Sequence, residues 1–148
     1  MDYKVQKIKM GVQVLIRGKK VQRGSFFVVS PGYSVPDADL LLTLMNEPDD
    51  FVPMEQGKKI MLLSKTQIAY LKLSAGSYNP TAGVVRKIRV VLPSKPELAG
   101  TIWIHLPEER QRALDFLNLK NPFFLMQSKK DLYIINKWMV QGVLPDVR

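Results

Sequence analysis

The sequence predicts an α+β fold that is predominantly β, built from two tandem β-β-α-β-β repeats with pseudo-twofold symmetry. The first observation behind this is a duplication: residues 40–46 and 60–65 have counterparts at 112–118 and 132–137, an offset of 72. The second is that strand-like segments precede both copies, at 12–16 and 88–92. Fixed-offset self-similarity is the signature of a duplicated structural unit. Closure of the repeated strands into a barrel is left open.

The repeats also set the expected domain organisation. Residues 1–73 form the first repeat and 84–148 the second, and the two are expected to pack as one compact unit. Between them, residues 74–83 are small, polar and rich in turn formers, which is typical of a linker. A chain of 148 residues with 46% hydrophobic residues is long enough to bury a core of this kind.

Each repeat begins with a predicted hairpin. Apolar residues alternate from Ile8 to Ile16, which indicates a strand with one buried face. A turn at 18–20 leads to a second strand at 21–30, and Pro31 ends it. Segments 12–16 and 24–28 match 88–92 and 100–104 at an offset of 76, so the first copy has four extra residues in the following turn, about 32–35.

A short helix and a second hairpin complete each predicted repeat. The first helix starts near Pro36, with Asp37 or Asp39 as the cap, and ends at Asn46. Residues 51–54 then form a brief extended piece. Segments 60–63 and 67–73 are expected to pair as a hairpin closed near Ser64 and Lys65, with one further short strand left open.

Several residues recur between the copies and have structural interpretations. Gly24 and Gly100 should mark a bend before a buried strand, and Asn46 and Asn118 a left-handed helix end. Two further pairs, Phe51 with Phe123 and Met54 with Met126, should lie in the core.

A resemblance rests on the segments around Asn46, 51–54 and 65–68. Their order resembles a small bacterial β-rich domain family of uncharacterised function. The likeness covers most of the chain and is better in the first copy, because Leu125 replaces the expected proline and Trp138-Met139-Val140 follows Lys137 in the second. The resemblance implies a fold and a bacterial origin, and it implies no activity.

Composition indicates a soluble, cytoplasmic protein. No apolar run approaches the ~20 residues of a membrane helix, the N-terminus lacks a signal-peptide core, and there is no cysteine. The formal net charge of +9 is spread over both halves, and such a charge favours anionic partners or serves only solubility.

The chemistry-bearing residues argue against an enzyme, and we expect no cofactor and no metal. His105 is the only histidine, which is too few for a zinc site without cysteines or for a nucleophile–base pair. The glycines form no phosphate-binding loop. The acidic residues between Asp37 and Asp50 have no EF-hand spacing and are interpreted as a solvated helix cap.

Two binding surfaces are therefore predicted. A protein partner, bound by a non-catalytic adaptor or regulatory module, is the favoured function, and its candidate interface residues are Tyr70, Tyr133, Trp138 and Met139. The alternative is a nucleic acid or another polyanion held on a basic β-hairpin face. Its candidate residues are Lys7, Lys9, Arg17, Lys19, Lys20, Arg23, Arg86, Lys87 and Arg89.

Overall fold

The computed structural model describes residues 6–76, 78–80, 82–93 and 95–146. Residues 1–5, 94 and 147–148 of the predicted repeats, and residues 77 and 81 of the predicted linker, lie outside the described residues. The described residues form one ten-stranded antiparallel sheet and two α-helices. This confirms the α+β class with a predominance of β-structure.

The first half of the chain contributes five strands and one α-helix. They are β1 (Lys7–Ile16), β2 (Gln22–Val29), α1 (Asp37–Asn46), β3 (Phe51–Gln56), β4 (Lys59–Ser64) and β5 (Ile68–Ser74). A 3₁₀ turn at Lys65–Gln67 separates the last two strands. The predicted first hairpin is present, because β1 pairs with β2 from Lys7 opposite Val29 to Val14 opposite Gln22.

The second half contributes the other five strands and the second α-helix. They are β6 (Val84–Leu92), β7 (Lys95–Ile104), α2 (Ala113–Leu117), β8 (Phe123–Ser128), β9 (Asp131–Asn136) and β10 (Gly142–Pro145). Two 3₁₀ turns occur here, at Glu108–Arg110 and Lys137–Met139. The side chain of Arg112 holds Asp115 at the start of α2, with a distance of 3.1 Å from Nε to Oδ2.

The helix ends differ from the prediction. Pro36 occupies the N-cap of α1 and no side chain caps the helix, so neither Asp37 nor Asp39 plays the expected role. Asp39 instead accepts a hydrogen bond from the Tyr78 hydroxyl over 3.2 Å. The expected left-handed residues are also wrong: Asn118 has φ −88, and among the described non-glycine residues Lys129 alone has a positive φ.

The predicted hairpin between 60–63 and 67–73 is wrong. β4 pairs with β3, through a turn in which Gly57 has φ +62, while β5 pairs with β1 and with β9. The physical reason is the 3₁₀ turn at Lys65–Gln67, which redirects the chain between the two strands. It is anchored because the Lys65 amide donates to the Asp50 carbonyl over 2.9 Å.

The sheet has the strand order β10-β6-β7-β8-β9-β5-β1-β2-β3-β4. Its halves meet where β9 pairs with β5, from Tyr70 opposite Ile135 to Ser74 opposite Asp131. The sheet is open, with edges at β4 and β10, so closure into a barrel is not confirmed. A twofold requires isologous contacts, in which a strand pairs with its own counterpart, so that β9 would pair with β4 or β5 with β10 at this junction. The observed pairing of β9 with β5 does not fit the expected pseudo-twofold.

Two hydrophobic cores lie on opposite faces of the junction. The first core contains mostly residues of the first half, but it also takes Leu132 and Ile134 from β9. The second core contains mostly residues of the second half, but it takes Leu15 and Tyr70 from the first. Side chains of a strand alternate between faces, so each junction strand serves both cores at once. The two halves therefore bury one another's apolar side chains.

Candidate functional site

The clearest departure from a closed hydrophobic fold lies at the β4 edge of the sheet. Phe51, predicted to anchor the core, is 59% exposed, and Ile60 and Leu62 of β4 are 63% and 68% exposed. In the β3–β4 register Pro53 lies opposite Leu62, and Phe51 lies two residues before Pro53 on the same face. We define Phe51, Pro53, Ile60 and Leu62 as the edge patch.

The other face of the same two strands is mostly buried, with Met61 as its exposed member. Val52, Met54 and Leu63 belong to the first core, and Met54 fulfils its predicted role as a core anchor. β3 and β4 are therefore apolar on both faces, although only one face is covered. Strands with two apolar faces are typical of positions that are covered on both sides.

The residues 72 positions later in the sequence have the opposite environment. These counterparts of the edge patch are at most 9% exposed and belong to the first core; they are Phe123, Leu125, Leu132 and Ile134. They are covered because β9 pairs with β5 and because α1 contacts β8 and β9. Apolar residues at corresponding positions are thus buried at the junction and exposed at the edge.

This edge has the properties of a protein-docking surface. Burying a large aliphatic or aromatic side chain contributes about 1.5–3 kcal/mol, so Phe51, Ile60 and Leu62 represent a substantial driving force. In the described part of the chain β4 pairs with a strand on one side only. Its free backbone groups can accept another strand, and within β4 the only charged residue is Lys59, at its start.

This surface was not predicted from the sequence, although one signal was present. Ile60-Met61-Leu62-Leu63 is an unbroken apolar run inside a strand, and such a run requires cover on both faces. The incorrect hairpin with residues 67–73 gave this run a neighbouring strand in the sheet, which does not cover a face. The exposure of Ile60 and Leu62 follows from the strand order, which the pattern of residues does not encode.

The four predicted interface residues fall into two groups. Tyr70 and Tyr133 are buried in the β5–β9 junction, where their rings meet edge to face with centroids 5.2 Å apart. Trp138 is 82% exposed in the last 3₁₀ turn, and Met139 beside it is half-buried against the second core. Only Trp138 of this set therefore offers a large exposed side chain.

The predicted basic residues of the first hairpin lie at its two ends. Lys7 and Lys9 are exposed at the start of β1, and Lys9 forms an ion pair with Glu55 over 2.7 Å. Arg17, Lys19 and Lys20 follow the far end of β1, roughly 30 Å from Lys7 for a strand of this length, and Arg23 lies near that end inside β2. The residues at that end, all exposed, are Arg17, Lys19, Lys20 and Arg23.

The predicted basic residues of the second half lie on β6. Lys87 and Arg89 line a shallow groove of about 460 Å³, together with Lys129 and Asp146. Arg89 forms an ion pair with Glu97 over 3.3 Å. Arg86 is exposed, on the opposite face of the strand, and its Nη1 donates to the Val85 carbonyl. The groove brings together two of the three predicted residues.

A cleft of about 230 Å³ lies between the halves. Its wall includes Asp39, Tyr78, Trp103, His105 and Lys137. The Tyr78 ring meets Trp103 edge to face at 5.8 Å. Burial and, to a lesser extent, the Asp39 carboxylate raise the pKa of Tyr78 to about 12. The phenol therefore stays protonated and serves as a donor to Asp39.

Two lysines hold the helix ends rather than a ligand. Lys65 Nζ donates to the carbonyls of Leu44 and Glu47, both at 3.0 Å, and Lys137 Nζ donates to the Leu119 carbonyl at 2.7 Å. Burial lowers the pKa of both ammonium groups. Carbonyls at a helix C-terminus attract a cation, which explains why a lysine is favoured here.

In the described part of the chain, no group of three or more His, Cys, Asp or Glu residues has the arrangement of a metal site. A search for helices able to cross a bilayer, made over those same residues, finds none with the necessary length and apolarity. Comparisons of the chain with protein-family models, with curated proteins and with solved structures give no match.

Proposed function

We propose that this chain is a non-catalytic adaptor or regulatory module that binds a protein partner at the β4 edge of its sheet. The observation that carries the proposal is the edge patch: Phe51, Ile60 and Leu62 are exposed, whereas the same residue types 72 positions later are buried. A partner strand beside β4 would restore backbone pairing and cover these side chains. Exposed apolar patches next to a free edge are typical of interaction sites.

The proposal includes the duplication itself, as two tandem units of one ancestral fold. Support comes from corresponding contacts. Gly24 is packed against Met54, and Gly100 is packed against Met126 in the same way, so that a Cβ on either glycine would meet the methionine side chain. Support also comes from Lys65 and Lys137, which bond the carbonyls of Glu47 and Leu119, residues that are themselves 72 positions apart.

A crosslinking experiment tests the proposed function. The full chain is used as bait, with Leu62→Lys as the test variant and Tyr33→Lys as the control, because Tyr33 is exposed and lies outside the edge patch. We expect wild type and Tyr33→Lys to crosslink the same specific protein and Leu62→Lys to lose it. Capture that is unchanged in Leu62→Lys, or turnover of a small substrate without any specific protein capture, would contradict the proposal.

A second candidate is polyanion binding, which the groove lined by Lys87, Arg89 and Lys129 favours, together with the net charge of +9. Such binding would weaken linearly on a log–log plot against salt concentration. Replacing Lys7, Lys9, Arg17 and Lys19 by Glu tests the hairpin end of the surface, and Lys87→Glu with Arg89→Glu tests the groove. Binding of single-stranded nucleic acid that survives both sets of changes excludes these surfaces.

A further inference from the structure

We propose that the partner at the β4 edge is a second copy of this chain, whose β10 pairs antiparallel with β4, so that copies join head to tail. This inference rests on the proposed function, because it uses the same edge patch, and it names the occupant. The second copy would repeat a junction already present inside the chain, where β9 pairs with β5.

The two free edges correspond to the two strands of that junction. β4 lies 72 positions before β9, and β10 lies within the segment 72 positions after β5. Within its described residues, a chain therefore contains one completed junction and, at its opposite edges, the two unpaired parts of another. Since the parts lie on different edges of one sheet, a second molecule can supply the missing strand by repeating the same geometry.

The internal register transfers directly to the proposed contact. Inside the chain Leu71 lies opposite Ile134 and Ser74 lies opposite Asp131. Residues of β5 are replaced by those 72 positions later, and residues of β9 by those 72 positions earlier. This sets Val143 opposite Leu62, and Asp146 opposite Lys59. The first of these pairs is apolar and the second joins opposite charges. Opposite charges on directly opposed residues stabilise an antiparallel ladder, and the apolar pair removes both side chains from water.

Backbone groups at the β10 edge are oriented for this pairing. The Asp146 amide donates to the Lys87 carbonyl of β6 over 3.0 Å. Backbone groups alternate in direction along an antiparallel strand, so those of Val143 and Pro145 point away from β6. Pro145 has no amide hydrogen, but its carbonyl can still accept. The contact therefore has one ladder bond fewer than the internal junction, and it should be weaker and reversible.

The second copy also carries a surface to cover the edge patch. In the first half, α1 packs on β8 and β9, and Asn46 bonds the backbone of Phe123. Leu42 of α1 packs against the first core, and its counterpart Leu114 on α2 is 56% exposed. Asn118, the counterpart of Asn46, is the C-cap of α2 and is also exposed. In the proposed contact Leu114 packs on the edge patch, and Asn118 bonds the backbone of Phe51.

Such a contact is heterologous, because different surfaces meet on the two copies. Each added copy leaves a free β4 at one end and a free β10 at the other, so the contact repeats until a ring closes or a filament grows. Both forms share the same interface. Their common prediction is an assembly that is blocked by a change on either edge.

The decisive experiment uses one variant for each edge. Multi-angle light scattering and native mass spectrometry of the full chain, over a concentration series, should show wild type and Tyr33→Lys larger than a monomer. Leu62→Lys blocks β4 and Val143→Lys blocks β10, and each variant alone should be monomeric. An equimolar mixture should give a one-to-one dimer, because one intact edge remains on each molecule. Far-UV circular dichroism confirms that both variants are folded.

A charge exchange tests the register. Lys59→Glu places two acidic residues opposite each other and should raise the dissociation constant about fivefold. Asp146→Lys alone should have a similar effect, and the two changes in one chain should restore wild-type association. Failure of the double variant to restore association overturns the register, and with it the proposed head-to-tail pairing.

The outcomes also separate this inference from the proposed function. A wild-type chain that is monomeric at every concentration, yet captures a different protein through Leu62, overturns the inference and leaves the proposed function standing. A monomeric chain that captures no protein contradicts both. Assembly that persists in Leu62→Lys and Val143→Lys overturns the inference as well, because its interface then lies elsewhere.

Discussion

Asn46 and Phe123 exchange two hydrogen bonds across the two halves of the chain. The Phe123 amide donates to Asn46 Oδ1 over 2.8 Å, and Asn46 Nδ2 donates to the Phe123 carbonyl over 3.2 Å. One residue ends α1 and the other begins β8, so the pair fixes the helix of the first half on the sheet of the second. Asn46 was expected to end α1 in a left-handed backbone conformation. Its side chain instead holds the backbone of Phe123.

Asn46→Ala should therefore destabilise the fold. The substitution leaves the partly buried amide and carbonyl of Phe123 without these partners, and we expect the free energy of unfolding to fall by about 1–3 kcal/mol. Asn118→Ala is the matched control, because Asn118 is exposed at the C-cap of α2. Urea unfolding of both variants, under conditions where the chain is monomeric, checks the difference. An equal loss in the two variants would show that the bonds to Phe123 contribute nothing.

Asn136→Ala should also be destabilising. This residue is 1% exposed at the end of β9, and its Nδ2 donates to the Ile68 carbonyl over 2.9 Å while its Oδ1 accepts from the Trp138 amide over 3.0 Å. Removing a buried amide that satisfies both groups should cost about 2 kcal/mol, measured by chemical unfolding. Ser64→Ala, at the corresponding place beside the free edge, should change stability by less than about 0.5 kcal/mol.

The two packed glycines should tolerate alanine unequally. A Cβ at Gly100 would lie 2.6 Å from the Gln127 carbonyl oxygen, which is backbone and cannot move alone. A Cβ at Gly24 would meet only atoms of the Met54 side chain, Sδ and Cγ before Cε, and this flexible side chain can adopt another rotamer. We expect Gly100→Ala to lower the unfolding free energy by about 2–3 kcal/mol and Gly24→Ala by about 1. Thermal and urea unfolding rank them, and the reverse order would refute this account.

The stability contributed by Tyr78 should disappear at high pH. Its pKa is about 12 in the folded chain against the ordinary value of 10.0, so the folded state retains a proton that the unfolded state has lost between these values. Stability that is complete below pH 10.0 therefore falls as the pH rises toward 12. The difference in unfolding free energy between wild type and Tyr78→Phe, followed across this window, measures the loss.

Asp39→Asn separates the causes of that shift. Burial is the largest cause and the Asp39 carboxylate is the smaller one. The variant should therefore lower the pKa of Tyr78 only in part, and the value should remain above 10.0. Ultraviolet titration of the phenolate, with Tyr78→Phe as the blank, checks this. A return to the ordinary value would make the carboxylate the main cause.

Local pattern was sufficient for the parts of the fold that depend on neighbouring residues. The alternation from Ile8 to Ile16 predicted β1, and the segment after Pro36 predicted α1. The partners of β4 and of β5 could not be predicted in this way, because a 3₁₀ turn at Lys65–Gln67 and a hairpin turn differ little in sequence. One incorrect pairing was enough to hide the exposed edge.

In the candidate site, too, local pattern was not sufficient. Phe51 and Phe123 are identical residues in corresponding segments, and composition alone assigned both to the core. Their exposure differs because α1 packs on β8 and covers Phe123, whereas nothing in the described chain covers Phe51. Burial is decided by the neighbour that a strand receives, so it cannot be read from the residue.

The sequence by itself determined the predominance of strands, the apolar faces of β1 and α1, and the likeness of residues 40–65 to 112–137. These properties depend on periods of two to four residues and on direct comparison of segments. The tertiary structure alone decided that β9 pairs with β5 and that β4 and β10 remain at the edges. Antiparallel pairing requires only that two strands meet, so the choice of partner depends on turns and packing across the whole chain.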